Sequence, residues 1–245
     1  MMISIEAIYY TPVASQPMIF LEKATLIKGC GLEGDRYAQR IGTYSVLRGS
    51  IYQPGQQEPG RQLTLISRQG VEAAFRESGI AWNTNKSLGD LRRNVIVQGI
   101  SAQDLLQWIG SVVHIGDKGV KLLVHRNCVP CMYNERKNET PGLMEALWDA
   151  GGVSCEVLEG GTISIGDAIS VHPNTEGYRI DPGHRSNGFF TRPSKRTAEM
   201  VREALEEKKT IYKDLIDLDP IGVKRAQASY ESVGLSFWPK SHKAS

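Results

Sequence analysis

Short apolar runs, separated by glycine-rich turns, recur from the N-terminus to His172. Runs such as residues 63–66, 95–97 and 120–124 are too short for helices and rich in β-branched residues, which is typical of buried strands. Helical spacing is clearest at residues 68–78, after a serine cap and before a glycine. Many short strands with few helices predict an α/β fold with predominant β structure, built as a closed or nearly closed β-barrel.

The pattern changes after His172. Residues 173–192 are rich in Gly, Pro, Asn and Arg, and they predict a linker or a lid. From residue 193 onward, apolar positions recur at helical spacing between charged flanks, which predicts a helical C-terminal extension. The sequence therefore divides into a β-barrel domain at residues 1–172, a linker or lid at 173–192 and a helical extension at 193–245.

Composition narrows the class of protein. The 29 basic and 27 acidic side chains leave a net charge of +2, without the basic excess of a nucleic-acid-binding surface. No apolar run approaches the roughly 18 residues that cross a membrane, and the N-terminus lacks the pattern of a signal peptide. Four cysteines in 245 residues are too few for a disulfide framework. We therefore expect a cytoplasmic protein with reduced thiols that binds neither nucleic acid nor membrane.

The densest chemistry follows the apolar run at residues 120–124. Cys128 and Cys131 stand there with Pro130 between them, Arg126 before them and further basic residues after them. Positive charge beside a sulfur favours the thiolate, which is the form that attacks electrophiles and binds metals. A partly buried cysteine pair without chemistry is an equal alternative on this stretch alone.

Two other polar groups accompany flexible or strand-entry backbone. Asp35 and Arg36 end a glycine-rich segment, where they either pair to hold a loop or help to form an anion cradle. Arg93 and Asn94 precede an apolar run, where the arginine is either solvated or holds a phosphate with its planar fork of donors. The residues themselves leave both alternatives open.

Taken in order, these segments resemble the MOSC domain, named after the C-terminal domain of molybdenum cofactor sulfurases. The likeness spans about residues 1 to 172 and leaves the tail outside it. The matching segments are residues 31–36, 61–66, 93–100, 109–110, 115–117, 126–131 and 160–167.

The resemblance implies a β-barrel-like α/β fold and one functional cysteine that follows a proline, which maps onto Cys131 and leaves Cys128 and Arg126 auxiliary. In this family the cysteine ligates the molybdenum of a pterin cofactor or carries sulfur as a persulfide, and a soft thiolate suits both roles. The resemblance also implies that basic and amide groups hold the pterin phosphate. The matching positions here are Arg36, Arg61, Arg93 and Asn94, with Asp35 beside them.

Four functions compete. The first is a molybdenum-cofactor oxidoreductase acting on N-hydroxylated or related small molecules. The second is a sulfur carrier that delivers persulfide from Cys131 to a metal-sulfur cofactor or a partner protein. The implied basic pocket favours the first, because bare sulfur transfer does not need it. A dithiol redox protein using Cys128 and Cys131 lacks its usual βαβ setting, and a zinc site lacks ligands, since Cys30 and Cys155 stand alone.

The helical extension generates a first prediction. Burying its stripe (Val201, Leu205, Tyr212, Leu215) at ~25 cal/mol per Å² would stabilise the chain by several kcal/mol before entropic costs, which an isolated helix pair does not retain. We expect the extension to dock on its own barrel or, across a homodimer interface, on a second copy. Sedimentation and thermal unfolding of the full chain and of a truncation near His172 check this. An unchanged oligomeric state and unchanged stability would contradict docking.

Overall fold

The structure is a computed structural model that describes residues 2–13, 16–39, 59–82, 86–128, 130 and 132–180. The chain divides into two compact units. The first unit, Met1–Arg40 with Gln57–Pro182, contains all of the described residues. The second, Ile41–Gln56 with Gly183–Ser245, lies outside them, and so does the predicted helical extension at residues 193–245. The predicted domain boundaries and the docking of the extension stay predictions.

The described residues form eleven strands and four short α-helices, with two 3₁₀ turns between them. The strands are β1 (Ser4–Tyr10), β2 (Ile19–Leu21), β3 (Lys23–Ile27), β4 (Gly31–Leu32), β5 (Leu63–Ser67), β6 (Val95–Gln98), β7 (Val112–Ile115), β8 (Val120–Asn127), β9 (Val153–Glu159), β10 (Gly161–Ser164) and β11 (Ile169–His172). The helices are α1 (Arg68–Ser78), α2 (Ala102–Leu106), α3 (Met132–Lys137) and α4 (Leu143–Ala146), and the 3₁₀ turns are η1 (Pro59–Arg61) and η2 (Leu88–Leu91).

The larger sheet curls until its ends approach each other. Its eight strands follow the order β11-β7-β8-β9-β5-β6-β1-β2, and a second sheet has the order β10-β3-β4. Backbone hydrogen bonds from Ile5 N to Asp167 O (3.0 Å) and from Ile169 N to Ile3 O (2.9 Å) join β1 to the start of β11. These bonds link the seventh strand of the sheet back to the first. The expected barrel-like fold with predominant β structure is confirmed.

Alternate residues of the central strands pack on two different cores. Leu63 and Leu65 of β5 belong to the cluster that fills the barrel, whereas Ile66 packs on the outer face against Val71 and Phe75 of α1. Helix α1 connects β5 to β6, which are parallel, and such a connection needs a crossover element. Strands β5 and β6 are therefore buried on both faces, which is why they appear in the sequence as continuous apolar runs.

Helix α1 begins and ends as its sequence predicts. The Ser67 side chain accepts a hydrogen bond from Gly70 N at 2.9 Å, and Gly79 adopts the left-handed conformation at φ 66°. Within the described residues, no helix is long and apolar enough to cross a membrane.

Close approach of two backbones generates a prediction at Gly152, before β9. Gly152 has φ +89°, and a Cβ there would overlap the Leu65 carbonyl oxygen of β5. Gly119 has φ +78° but open space around its Cα. Both Gly→Ala changes incur the left-handed penalty of about 1–2 kcal/mol. We expect Gly152→Ala to lower the free energy of unfolding by a further ~1–3 kcal/mol, because strand backbone cannot easily yield.

Urea unfolding of the two variants, compared at equal m-value, measures this difference. Equal losses of stability in Gly152→Ala and Gly119→Ala would show that the contact between β9 and β5 is not tight.

Candidate functional site

A β-bulge near the end of β8 decides which residues reach the site. Val124 pairs with Cys155 of β9, but Arg126 already pairs with Ser154, so the register shifts between them. Without this shift, Arg126 would share a face with Val124, which points into the barrel core. The bulge instead places Arg126 on the opposite face of the sheet, which is a usual effect of bulges.

On that face, polar side chains form a row across four neighbouring strands. Arg126 of β8 pairs with Ser154 of β9, and Ser154 pairs with Thr64 of β5. Thr64 Oγ1 then donates to Asn94 Oδ1 at 2.9 Å, directly before β6. Ser154, Thr64 and Asn94 are buried, whereas Arg126 is half-buried. We call these four residues, with Asp35 described next, the polar row.

The Asp35 carboxylate is almost completely buried at the end of the polar row. Its Oδ2 accepts hydrogen bonds from Thr11 N (3.1 Å) and Asn94 Nδ2 (3.4 Å), and its Oδ1 accepts one from Tyr37 N (2.9 Å). Asp35 therefore fixes the glycine-rich segment to the end of β1 and the start of β6. Arg36, which is also buried, places its guanidinium 4.3 Å from the centre of the Tyr37 ring.

Arg93 is buried and therefore not in the solvated setting, which was one of the two predicted alternatives. Only 7% of its surface is exposed, and its guanidinium donates to the carbonyl oxygens of Gly151 (2.7 Å), Leu91 (3.1 Å) and Cys128 (2.9 Å). These bonds use three of the five N–H groups that an arginine carries, so two remain for other acceptors. Its role toward a cofactor stays a prediction.

Arg126 contacts η1, the turn that ends at Arg61. A Cβ on Gly60 would lie 2.7 Å from Arg126 Nη1, so the guanidinium of Arg126 lies directly on the glycine beside Arg61. The next residue, Gln62, binds β9 through its N–H to Cys155 O (3.1 Å) and its Oε1 to Val157 N (2.9 Å). The turn that carries Arg61 is therefore fixed to the strand beside β8.

The cysteines lie in different environments. Cys131 lies outside the described residues, whereas Cys128 is half-buried immediately after β8. Cys155 is completely buried, and burial, reinforced by the nearby Cys128, raises the pKa of its thiol far above the ordinary value. Cys155 therefore stays a neutral thiol. In the described residues, which exclude Cys131, His, Cys, Asp and Glu form no group of three that could hold a metal ion.

The family can now be assigned. A family model described as "MOSC domain" matches residues 53–170 of the chain. The chain contains a MOSC domain. The match includes Arg61, Arg93, Asn94, Arg126 and both cysteines of residues 128–131, whereas Asp35 and Arg36 precede it. Among curated proteins, none matches the chain in sequence.

The chain is similar to several solved structures. The YuaD protein from Bacillus subtilis is similar with a TM-score of 0.56 and 21% identity, over 71% of this chain and 98% of that chain. A structure described as a hypothetical protein has a TM-score of 0.50 and 14% identity, over 91% and 92% of the two chains. YiiM from Escherichia coli has a TM-score of 0.47 and 14% identity, over 84% and 94%. At these identities the likeness to YuaD shows the fold alone.

Three residues of the candidate site, which are Thr64, Ser154 and Gly151, were missed by sequence reasoning. Thr64 and Ser154 look like ordinary strand positions in the sequence, although each hydroxyl lies on the outer face of the sheet. Gly151 was not predicted as a site residue, although its carbonyl accepts from Arg93 and a Cβ there would lie 2.9 Å from Pro130 Cδ. A polar residue interrupting an apolar run that is buried on both faces was the available signal for Thr64, whereas Ser154 follows the ordinary alternation of its strand.

The anchoring role of Asp35 generates a prediction. Asp35→Ala leaves three N–H donors short of an acceptor, two of them buried and one part-buried, and each buried loss costs about 1–3 kcal/mol. We expect the free energy of unfolding to fall by at least ~2 kcal/mol. Asp117→Ala is the control, because Asp117 is exposed in a turn and its loss should stay within about 0.5 kcal/mol. Chemical denaturation measures both, and similar effects would rule out the anchor.

Proposed function

We propose that this MOSC domain binds a molybdenum-pterin cofactor through Cys131 and acts as an oxidoreductase on N-hydroxylated or related small molecules in the cytoplasm. The observation that carries the proposal is the polar row. It brings together Arg126, Asn94 and Asp35, from segments far apart in the chain, beside the start of the cysteine pair.

The charges of this region suit an anionic ligand. Arg61, Arg93 and Arg126 stand around the end of β8, and Arg36 follows Asp35. Asp35 is the carboxylate of the polar row, and both of its oxygens already accept hydrogen bonds from the protein. A phosphate therefore meets guanidinium groups there, and Arg93 still has two N–H groups to offer.

The donor set also suits the metal of such a cofactor. A cysteine thiolate is a soft ligand, and Cys131 would hold molybdenum through its sulfur. The basic residues of this region favour the negatively charged form of that sulfur. When bound, the cofactor supplies the two-electron chemistry. The residues of this chain do the rest: Asp35 and Asn94 keep the loops in place, the arginines bind the phosphate, and Arg126 adds positive charge to the segment that leads to Cys128.

The test separates Cys131 from Cys128. Cys131→Ser, Cys128→Ser and the control Cys30→Ser are purified from a molybdate-supplemented host that makes the pterin, and bound molybdenum and sulfane sulfur are measured. Only Cys131→Ser should lose molybdenum, by more than the tenfold or so that removal of an outer partner costs, since the ligand itself is gone.

The other outcomes identify other functions. Sulfane sulfur on the parent protein that disappears only in Cys131→Ser, with no molybdenum, would establish the sulfur carrier instead. Equal losses in Cys131→Ser and Cys128→Ser would support a dithiol. An unchanged molybdenum content in all three variants would reject the proposal.

A further inference from the structure

The Arg93 guanidinium joins three segments that are distant in sequence. It donates to Leu91 O at the end of η2, to Cys128 O after β8, and to Gly151 O before β9. All three carbonyl acceptors belong to backbone outside the regular strands. The hydrogen bonds between paired strands therefore do not hold this backbone. A buried cation with three carbonyl partners is a structural link, because moving any one segment leaves a buried donor and acceptor apart.

Cys128 is held on both of its backbone groups. Its N–H donates to Gly152 O at 2.7 Å, and its carbonyl accepts from Arg93 Nη2 at 2.9 Å. On the other side, a Cβ at Gly151 would overlap Cys128 O and lie 2.9 Å from Pro130 Cδ. The turn at residues 151–152 and the chain at Cys128 and Pro130 are thus in direct contact.

This contact brings two carbonyl groups toward one cation. Gly151 O and Cys128 O are both acceptors, so they cannot form a hydrogen bond with each other. Because they are packed closely together, one donor group between them can pair with both. The planar fork of arginine supplies such donors in fixed directions, whereas the ammonium of a lysine is a compact point charge on a flexible stem.

We propose that Arg93 is a positioning residue for the thiol segment, which begins at Cys128 and continues through Pro130. It acts by fixing the Cys128 carbonyl against the turn at residues 151–152. The proposal gains its functional weight from the proposed cysteine site, but the link itself needs no cofactor. It assigns to Arg93 a role distinct from phosphate binding, which its two remaining N–H groups leave open.

The experiment uses the metal-free full-length protein with isotopically labelled cysteine, so that amide exchange is followed at Cys30, Cys128 and Cys155 in one spectrum. Arg93→Met removes the donors and keeps the apolar stem. Arg92→Met is the matched control, because Arg92 donates to Gln16 O (2.9 Å), away from the thiol segment. Arg93→Lys restores a positive donor without the fork.

We expect Arg93→Met to speed exchange at Cys128 by at least about tenfold, the factor for 1.4 kcal/mol, since charged hydrogen bonds contribute more than this. Exchange at Cys155, inside β9, and at Cys30, whose N–H donates to Ile27 O (3.0 Å), should change far less. Arg93→Lys should give an intermediate rate, and alkylation of the Cys128 thiol should follow the same order.

Two results would overturn the proposal. One is equal acceleration at Cys128 by Arg93→Met and Arg92→Met. The other is equal acceleration at Cys128, Cys30 and Cys155, which would mean that Arg93 stabilises the whole fold without positioning this segment. If Arg93→Met does not fold, Arg93→Lys decides by the same comparison. Because the exchange rates are measured on metal-free protein, they do not depend on whether the protein binds a molybdenum cofactor.

Discussion

Asn94 is almost fully buried, so its side-chain amide and its backbone groups must find hydrogen-bond partners inside the protein, where unpaired polar groups are costly. Its Oδ1 accepts from Thr64 N (3.2 Å) and Thr64 Oγ1 (2.9 Å), and its Nδ2 donates to Tyr9 O (3.2 Å) and to Asp35. Its own N–H donates to Thr64 Oγ1. One side chain thereby fixes β1, β5 and the glycine-rich segment relative to the start of β6, and the candidate site is built on that arrangement.

The buried polar groups around Asn94 are satisfied mainly by backbone groups. Asp35 takes two backbone N–H groups in addition to Asn94, and Arg93, the next residue along the chain, takes three backbone carbonyls. Such networks rigidify a structure when every member is paired. A cofactor-binding protein benefits from this, since groups already in position lose little entropy when a ligand arrives.

Helix α3, which follows the cysteine pair, is anchored by amides as well. Asn134 Nδ2 donates to Leu91 O (2.8 Å), the same carbonyl that Arg93 uses, and Asn138 Nδ2 donates to Asp90 O (3.0 Å). Leu91 O thus accepts from Asn134, after the cysteine pair, and from Arg93, which also donates to the Cys128 carbonyl. Leu88 and Leu91 of the 3₁₀ turn η2 are buried in the outer core, and hydrogen bonds to the turn's carbonyls hold α3 against it.

The sequence alone determined the local structure. Short β-branched runs, Ser67 before α1 and Gly79 after it gave the strands and the main helix, because periodicity, caps and turns are encoded within a few residues. It also placed the important polar residues at the starts and ends of strands. Tertiary structure decided what these residues face. The register shift in β8 places Arg126 away from the core. Arg93 donates hydrogen bonds to the carbonyls of Cys128 and Gly151, which lie 35 and 58 residues away in the sequence. Those outcomes depend on how distant strands pair and on which backbone groups are left without ladder partners, and neither is visible in a local pattern.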